Sequence, residues 1–238
     1  MSAAGVRSAA TSSEPMPATV PEPCVALVTD RRVSGGLDAL LGAVEAAVAG
    51  GLRLVQMREK DLPDAEQLVL ARRLRELTSG RALLFVNDSV SIAQAAGADG
   101  VQLAERSRTV AAALDAMAPD VIEGRRLLVG RSVHDLAGAT EAAEQGADLL
   151  VAGAVFETAT HRGQPAAGTG LVAQIAEAVG IPVLGIGGIT ASNAPDVIAA
   201  GAAGVAVVAG VLAADDPNAA ARSLCDAVQE AWAARSRG

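Results

Sequence analysis

The sequence predicts a (β/α)8 TIM barrel: an α/β fold with eight parallel strands and its active site at their carboxyl ends. Three observations predict it. Short β-branched or apolar runs alternate with longer segments of helical periodicity, as βα units require. Eight such runs fall within residues 23–238. Several of the helical segments end in glycine just before the next run, as in Ala49-Gly50-Gly51, Gln145-Gly146-Ala147 and Ala200-Gly201-Ala202. Glycine there permits the left-handed conformation that ends a helix.

Taken in order, the strand candidates are Cys24–Thr29, Arg53–Arg58, Ala82–Asn87, Gly100–Leu103, Leu127–Ser132, Leu149–Gly153, Pro182–Ile186 and Gly204–Val208. After the first, Leu37, Leu40, Leu41, Val44 and Val48 share one helical face. After the second, Leu70, Leu74 and Leu77 do the same. The last helix is expected to start with Asp216 as N-cap and Pro217 at its first position, and to run to Trp232. A doubly wound open sheet is the rival architecture. It does not need eight strands, and it usually carries a glycine-rich loop after strand one. Here strand one ends in Val28-Thr29-Asp30-Arg31-Arg32.

Composition narrows the function. Hydrophobic residues make up 51% of the 238-residue chain and aromatics only 1%. A core must therefore be built from Ala, Val, Leu and Ile. A net charge of −8 argues against binding nucleic-acid phosphates, and two Phe, one Trp and no Tyr cannot form a stacking platform for bases. Residues 1–22 are rich in Ser, Ala, Thr and Pro without an apolar stretch, so they read as a flexible tail rather than a secretory signal. Residues 23–238 read as one domain. No apolar run is long enough to span a membrane, and Cys24 and Cys225 read as buried thiols of a cytoplasmic protein. The expected partner is a small molecule, with no nucleic acid or membrane, and a homo-oligomer is possible.

Proton-moving and cationic side chains gather at the predicted strand ends. The only two histidines are His134, which ends Val129-Gly130-Arg131-Ser132-Val133-His134, and His161, in the segment after strand six. The only lysine is Lys60, in Gln56-Met57-Arg58-Glu59-Lys60. Histidine is the side chain best suited to moving protons near neutral pH. Strand seven is followed by Gly185-Ile186-Gly187-Gly188-Ile189-Thr190 and strand eight ends Ala209-Gly210, with a helix expected to start near Ser192 or Asn193. Barrels often bind phosphate with these two loops, whose small residues let backbone N–H groups approach a ligand.

Five segments together resemble the thiamine phosphate synthase superfamily over nearly all of residues 23–235. They are Gln56-Met57-Arg58-Glu59-Lys60, Val86-Asn87-Asp88, Gly130-Arg131-Ser132-Val133-His134, Val155-Phe156-Glu157-Thr158 and Gly185-Ile186-Gly187-Gly188-Ile189. The resemblance implies one of two activities. Thiamine phosphate synthase joins a pyrimidine pyrophosphate to a thiazole phosphate with magnesium. Thiazole tautomerase, the TenI-like branch, isomerises a carboxythiazole phosphate to its aromatic form without metal or redox cofactor.

The expectation drawn from these segments is the tautomerase. The transferase pattern carries two magnesium-binding aspartates. Asp88 matches the first, but Ser107 stands at the second, next to Arg106. The transferase lysine after strand six is also missing from Thr158-Ala159-Thr160-His161, where only Arg162 offers a partial substitute. Gln102 and the run ending at His134 resemble the tautomerase. On that reading His134 shuttles the proton, and Arg58, Lys60, Asn87, Ser132, Thr158, Thr160 and His161 bind the substrate. Gly187, Gly188, Ala209 and Gly210 hold its phosphate, and no metal is needed. On the transferase alternative Asp88 holds Mg2+. A noncatalytic phosphate-ligand barrel with a regulatory role is the third reading. The competing structural roles are plain ones: His134 bonded to a backbone carbonyl, Arg58 and Lys60 paired with Glu59 or Asp61, and Asn87 and Asp88 capping the helix after strand three.

Overall fold

The computed structural model describes residues 19–117, 126–158 and 166–237. Eight parallel strands close into a barrel in chain order: β1 (Cys24–Val28), β2 (Leu54–Met57), β3 (Leu83–Asn87), β4 (Gly100–Leu103), β5 (Leu128–Val133), β6 (Leu149–Gly153), β7 (Val183–Ile186) and β8 (Gly204–Val207). β8 pairs back onto β1, with Cys24 opposite Gly204. Every strand expected from the sequence is present, with ends shifted by a residue or so. The main helices after β1 and β2 are α2 (Leu37–Ala49), behind the short α1 (Arg31–Ser34), and α3 (Asp64–Thr78). The remaining helices are α4 (Val90–Ala95), α5 (Val110–Met117), α6 (Leu136–Glu144), α7 (Gly168–Ala178), α8 (Ala194–Ala199), α9 (Ala209–Leu212) and α10 (Pro217–Arg235). Asp216 caps α10 by accepting the Ala219 N–H at 3.0 Å, and Pro217 sits at its start as expected; the helix runs on past Trp232 to Arg235. Gly146 closes α6 with φ +92°. A residue with a Cβ adopts that conformation only at a cost.

The alternation of strand side chains separates two cores. Val25 and Leu27 of β1, Val55 and Met57 of β2 and Leu84 and Val86 of β3 face the helices. Cys24, Ala26, Val28, Leu54, Leu83, Phe85, Leu128, Leu149, Val151, Leu184 and Ala206 fill the barrel interior. With so few aromatics, one ring does much of the filling. A Cβ on Gly100 would lie 2.6 Å from the Phe85 ring, so glycine on β4 leaves the space that Phe85 occupies on β3. Val20 joins this interior cluster with 7% of its surface exposed, so the chain already packs within the stretch read as a tail. Cys24 is buried and Cys225 half-buried, and both are free thiols. Burial, aided by each thiol's neighbours, pushes Cys24 up to about 12 and Cys225 up to about 11. Both are therefore protonated at neutral pH. Among the described residues no helix is long and apolar enough to cross a membrane.

Candidate active site at the carboxyl ends of the strands

Above Phe85 the interior turns polar. The inward alternation that places Leu54, Phe85 and Leu128 in the core continues upward to Gln56, Asn87, Gln102 and Ser132. These four amide and hydroxyl groups bond to one another in pairs. Gln56 Nε2 donates to Asn87 Oδ1 at 3.1 Å, and Gln102 Nε2 donates to Ser132 Oγ at 3.1 Å. Gly130 makes room for this layer, since a Cβ there would overlap the Gln102 amide oxygen. Buried polar groups bonded in this way are held in defined orientations.

The layer leads to Asp88. Asn87 Nδ2 donates to Asp88 Oδ2 at 2.6 Å, the Ala104 N–H donates to Asp88 Oδ1 at 2.8 Å, and Lys60 Nζ lies 3.3 Å from Oδ2. Among the described residues Asp88 is the only non-glycine at positive φ, +59°. Such a conformation is stored strain that surrounding contacts must maintain. The carboxylate bonds Asn87 and the Ala104 N–H, and the N-cap of α4 is Ser89, accepting the Ile92 N–H at 3.3 Å. The capping role read for Asn87 and Asp88 is therefore taken by Ser89. Burial works to raise the Asp88 carboxyl, but the Ala104 N–H, the Ser107 hydroxyl and the Lys60 ammonium outweigh it. The carboxyl is held below its usual value and stays charged. The Ser107 Oγ is buried and makes no hydrogen bond of ordinary geometry.

Arg58, Glu59 and Lys60 follow β2, and the end of β1 fixes their backbone. The Arg58 N–H donates to the buried Thr29 hydroxyl at 2.8 Å. Glu59 is only 3% exposed and accepts both the N–H of Arg31, at 3.0 Å, and its guanidinium, at 2.9 Å. Asp61 takes the rest of that guanidinium and also Arg32. The Asp61 carboxyl lies well below its usual value, chiefly through its bonds to Arg31. Glu59 and Asp61 therefore pair with Arg31, and neither ion pair considered for Arg58 or Lys60 forms. The Arg58 guanidinium is in no ion pair among the described residues, and Lys60 turns to Asp88. Arg31 carries no signal in the sequence, because its partners lie 28 and 30 residues away.

His134 ends up exposed just beyond β5. Its Nδ1 lies 2.5 Å from the Gly153 carbonyl oxygen, and its Nε2 lies 3.8 Å from Glu105 Oε2. The backbone-bonded role weighed for it is present. Arg131, on β5, donates to the carbonyls of Glu105 and Arg108 at 2.8 Å each and so pins the loop that carries Glu105 and Ser107. This holding role was not legible in the sequence.

On the far side of the mouth, Gly187 and Gly188 have φ of +104° and +64°. A Cβ on Gly187 would lie 2.8 Å from Ala154, and one on Gly188 would lie 2.5 Å from the Glu157 carbonyl oxygen. The Phe156 N–H donates to Gly187 O at 3.0 Å. The two glycines thus let the loop after β7 dock on the loop after β6, a packing reason not legible in the sequence. Ala209 and Gly210 form the first turn of α9, where N–H groups have no partner within the helix. The helix after β7 begins at Ala194 behind Asn193, whose side-chain amide donates to Gly188 O at 2.9 Å. Thr158 is half-buried at the start of the loop after β6, and Thr160 and His161 lie outside the described residues.

The barrel mouth therefore has two cations and a charged carboxylate on one side, a polar floor, and glycine-shaped backbone on the other. A family model described as thiamine monophosphate synthase matches residues 25–211. The chain belongs to the thiamine monophosphate synthase family. A putative thiamine-phosphate synthase from Geobacter sulfurreducens is 45% identical over 201 residues, covering 83% of this chain and 91% of its own length. A thiamine-phosphate synthase from Haloarcula marismortui is 44% identical over 213 residues, covering 87% and 97%. A solved structure of a thiamine phosphate pyrophosphorylase from Pyrococcus furiosus superposes with a TM-score of 0.77 at 37% identity, covering 87% of this chain and 96% of the other.

These relatives overturn the expectation of a thiazole tautomerase. They carry the synthase name across nearly their whole length, whereas that expectation rested on a few positions. Ser107 and the missing loop lysine, read as loss of the transferase, are outweighed by identity of 44–45% spread over 201–213 residues.

Proposed function

We propose that the chain is a thiamine-phosphate synthase, joining a pyrimidine pyrophosphate to a thiazole phosphate. The observation that supports this most is the Arg58–Lys60 pair. It is braced by Thr29 and Arg31 and set beside a charged Asp88, in a chain 44% identical across 97% of a named synthase. In the transfer, the carbon–oxygen bond to pyrophosphate breaks and its electron pair leaves with the pyrophosphate. The lone pair of the thiazole nitrogen forms the new carbon–nitrogen bond. The main task for the protein is to stabilise the charge that grows on the leaving group.

Arg58 and Lys60 are placed to neutralise that pyrophosphate, and their braced backbone means little reorganisation as charge develops. Asn87, Gln102 and Ser132 offer fixed donors and acceptors to the two rings, with His134 and Thr158 at the rim. The backbone amides near Gly187, Gly188, Ala209 and Gly210 suit the phosphate of the thiazole. The partner is thus a pair of small phosphorylated molecules.

The residues present suit Mg2+ in one way. Magnesium is commonly held by one or two carboxylates together with substrate phosphates. Asp88 supplies one charged carboxylate, and the Ser107 Oγ supplies a neutral hard oxygen beside it. Among the described residues no group of three His, Cys, Asp or Glu side chains could hold the ion, and substrate phosphates and water would complete its shell. When bound, Mg2+ would add positive charge to the departing pyrophosphate.

The test is direct. The purified chain is given hydroxymethylpyrimidine pyrophosphate, thiazole phosphate and Mg2+, and thiamine phosphate is measured with and without EDTA. Product that disappears with EDTA is expected. No product under saturating Mg2+ would refute the assignment.

A further inference from the structure

Both oxygens of Asp88 are already engaged. Oδ1 accepts the Ala104 N–H, and Oδ2 accepts the Asn87 amide and faces Lys60 Nζ at 3.3 Å. An ammonium that close to the carboxylate of the site competes with any divalent cation for the same charge. Among the described residues no second carboxylate compensates. Ser107 offers only a hydroxyl, and Glu105, exposed on the same loop, faces His134. The Lys60 and Asp88 side chains are 46% and 33% exposed. Their pairing is therefore open to exchange.

We propose that this is an anion-gated metal site: Lys60 occupies the cation position at Asp88 until a pyrophosphate group draws it away, so that Mg2+ binds only together with pyrophosphate. The inference rests on the synthase reading for the identity of the anion. It goes further in stating the order of events. Metal-free, the Asp88 carboxylate is neutralised by Lys60, and the incoming pyrophosphate takes over Lys60 while bringing further oxygens. Released by the ammonium, Asp88 Oδ2 becomes available to the metal, with Ser107 Oγ alongside. The arrangement keeps the mouth from holding a divalent cation before substrate arrives.

The test uses the full chain and Mn2+ as a spectroscopic stand-in for Mg2+. Protein-retained Mn2+ is measured by ultrafiltration at fixed free Mn2+, with and without inorganic pyrophosphate. Wild type should retain metal only with pyrophosphate. Lys60→Met removes the competing cation and should raise pyrophosphate-free affinity by about tenfold, as should Ser107→Asp, which adds a charged ligand. Asp88→Asn should retain little metal in either condition. Circular dichroism on each variant separates loss of the site from loss of fold. Wild type that binds Mn2+ equally well without pyrophosphate overturns the proposal, and so does a folded Lys60→Met variant that gains nothing. Turnover is scored separately. Pyrophosphate-gated binding without thiamine phosphate formation would refute the synthase assignment and keep the gate, whereas turnover with ungated binding would do the reverse.

Discussion

The two ends of the barrel use the same side-chain types in different ways. At the amino ends of the strands, Asp99 and Asp148 each precede a strand within a repeated Gly-Ala-Asp. Asp99 accepts the Leu84 N–H at 2.8 Å and the Arg75 guanidinium, while its own N–H donates to Leu84 O. Asp148 does the same with the Val129 N–H and Val129 O, and takes Arg126 through two bonds of 2.6 and 2.8 Å. Arginine's planar fork fits a carboxylate and leaves it saturated. At the carboxyl ends Arg31 saturates Glu59 in the same way, but the residues that follow do not close up. Lys60 makes a single contact with Asp88, and Arg58 has no anion among the described residues. Saturated pairs hold the backbone in register, whereas partly satisfied ones are available to a ligand. Among the described residues two buried side-chain atoms make no hydrogen bond of ordinary geometry, one at each end, Arg75 Nε below and Ser107 Oγ above.

This contrast can be broken most sharply by exchanging effects between the ends. Lys60→Ala should lower kcat/KM for the pyrophosphate substrate by about 10²–10³-fold, the usual effect of removing one preorganised charge-stabilising donor. Its unfolding free energy in a urea titration should stay within about 0.5 kcal/mol of wild type. Asp99→Ala should do the opposite. It leaves Arg75 and the Leu84 N–H unpaired and should cost about 3 kcal/mol in the same titration, while kcat of the folded protein is retained. Equal losses of activity and stability in both variants would erase the distinction.

Gly188→Ala should affect both properties, because the loop it serves is structural and borders the site. Its φ is +64°, and an added Cβ would come within 2.5 Å of the Glu157 carbonyl oxygen. The expected loss is about 2 kcal/mol of stability, with weaker thiazole phosphate binding by calorimetry. Arg126→Ala should be milder, about 1 kcal/mol, since the pair it breaks is half-exposed.

The smallest effect is on acid stability. Asp61 and Asp88 have carboxyls lowered in the folded state. Their contribution is complete above the unfolded value, about 4, and is lost as pH falls through the lowered values. Arg31→Met removes the main cause for Asp61. It should leave that variant's stability less dependent on pH below about 4 than that of wild type, as read from unfolding midpoints at a series of pH values.

Legibility in the sequence followed range. All eight strands and the capped start of α10 were readable because each depends on neighbours a few residues away. Inward and outward positions followed too, since alternation continues from Leu54 to Gln56 and from Phe85 to Asn87. The glycines after β7 were singled out for a phosphate, and the packing reason stayed hidden: Ala154 and Glu157, which crowd them, come from a separate loop. The choice between two activities went wrong for a related reason. It weighed Ser107 and the segment at Thr160 and His161 singly, while identity spread across the whole barrel pointed the other way.

The sequence by itself determined the barrel and the placing of His134 and the one lysine, Lys60, at strand ends, because periodicity, capping and turn chemistry are local. Only the tertiary structure decided which charge meets which. Glu59 goes to Arg31 and Asp88 to Lys60, because closing eight strands into a ring brings together side chains 28 residues apart and turns immediate neighbours to different partners.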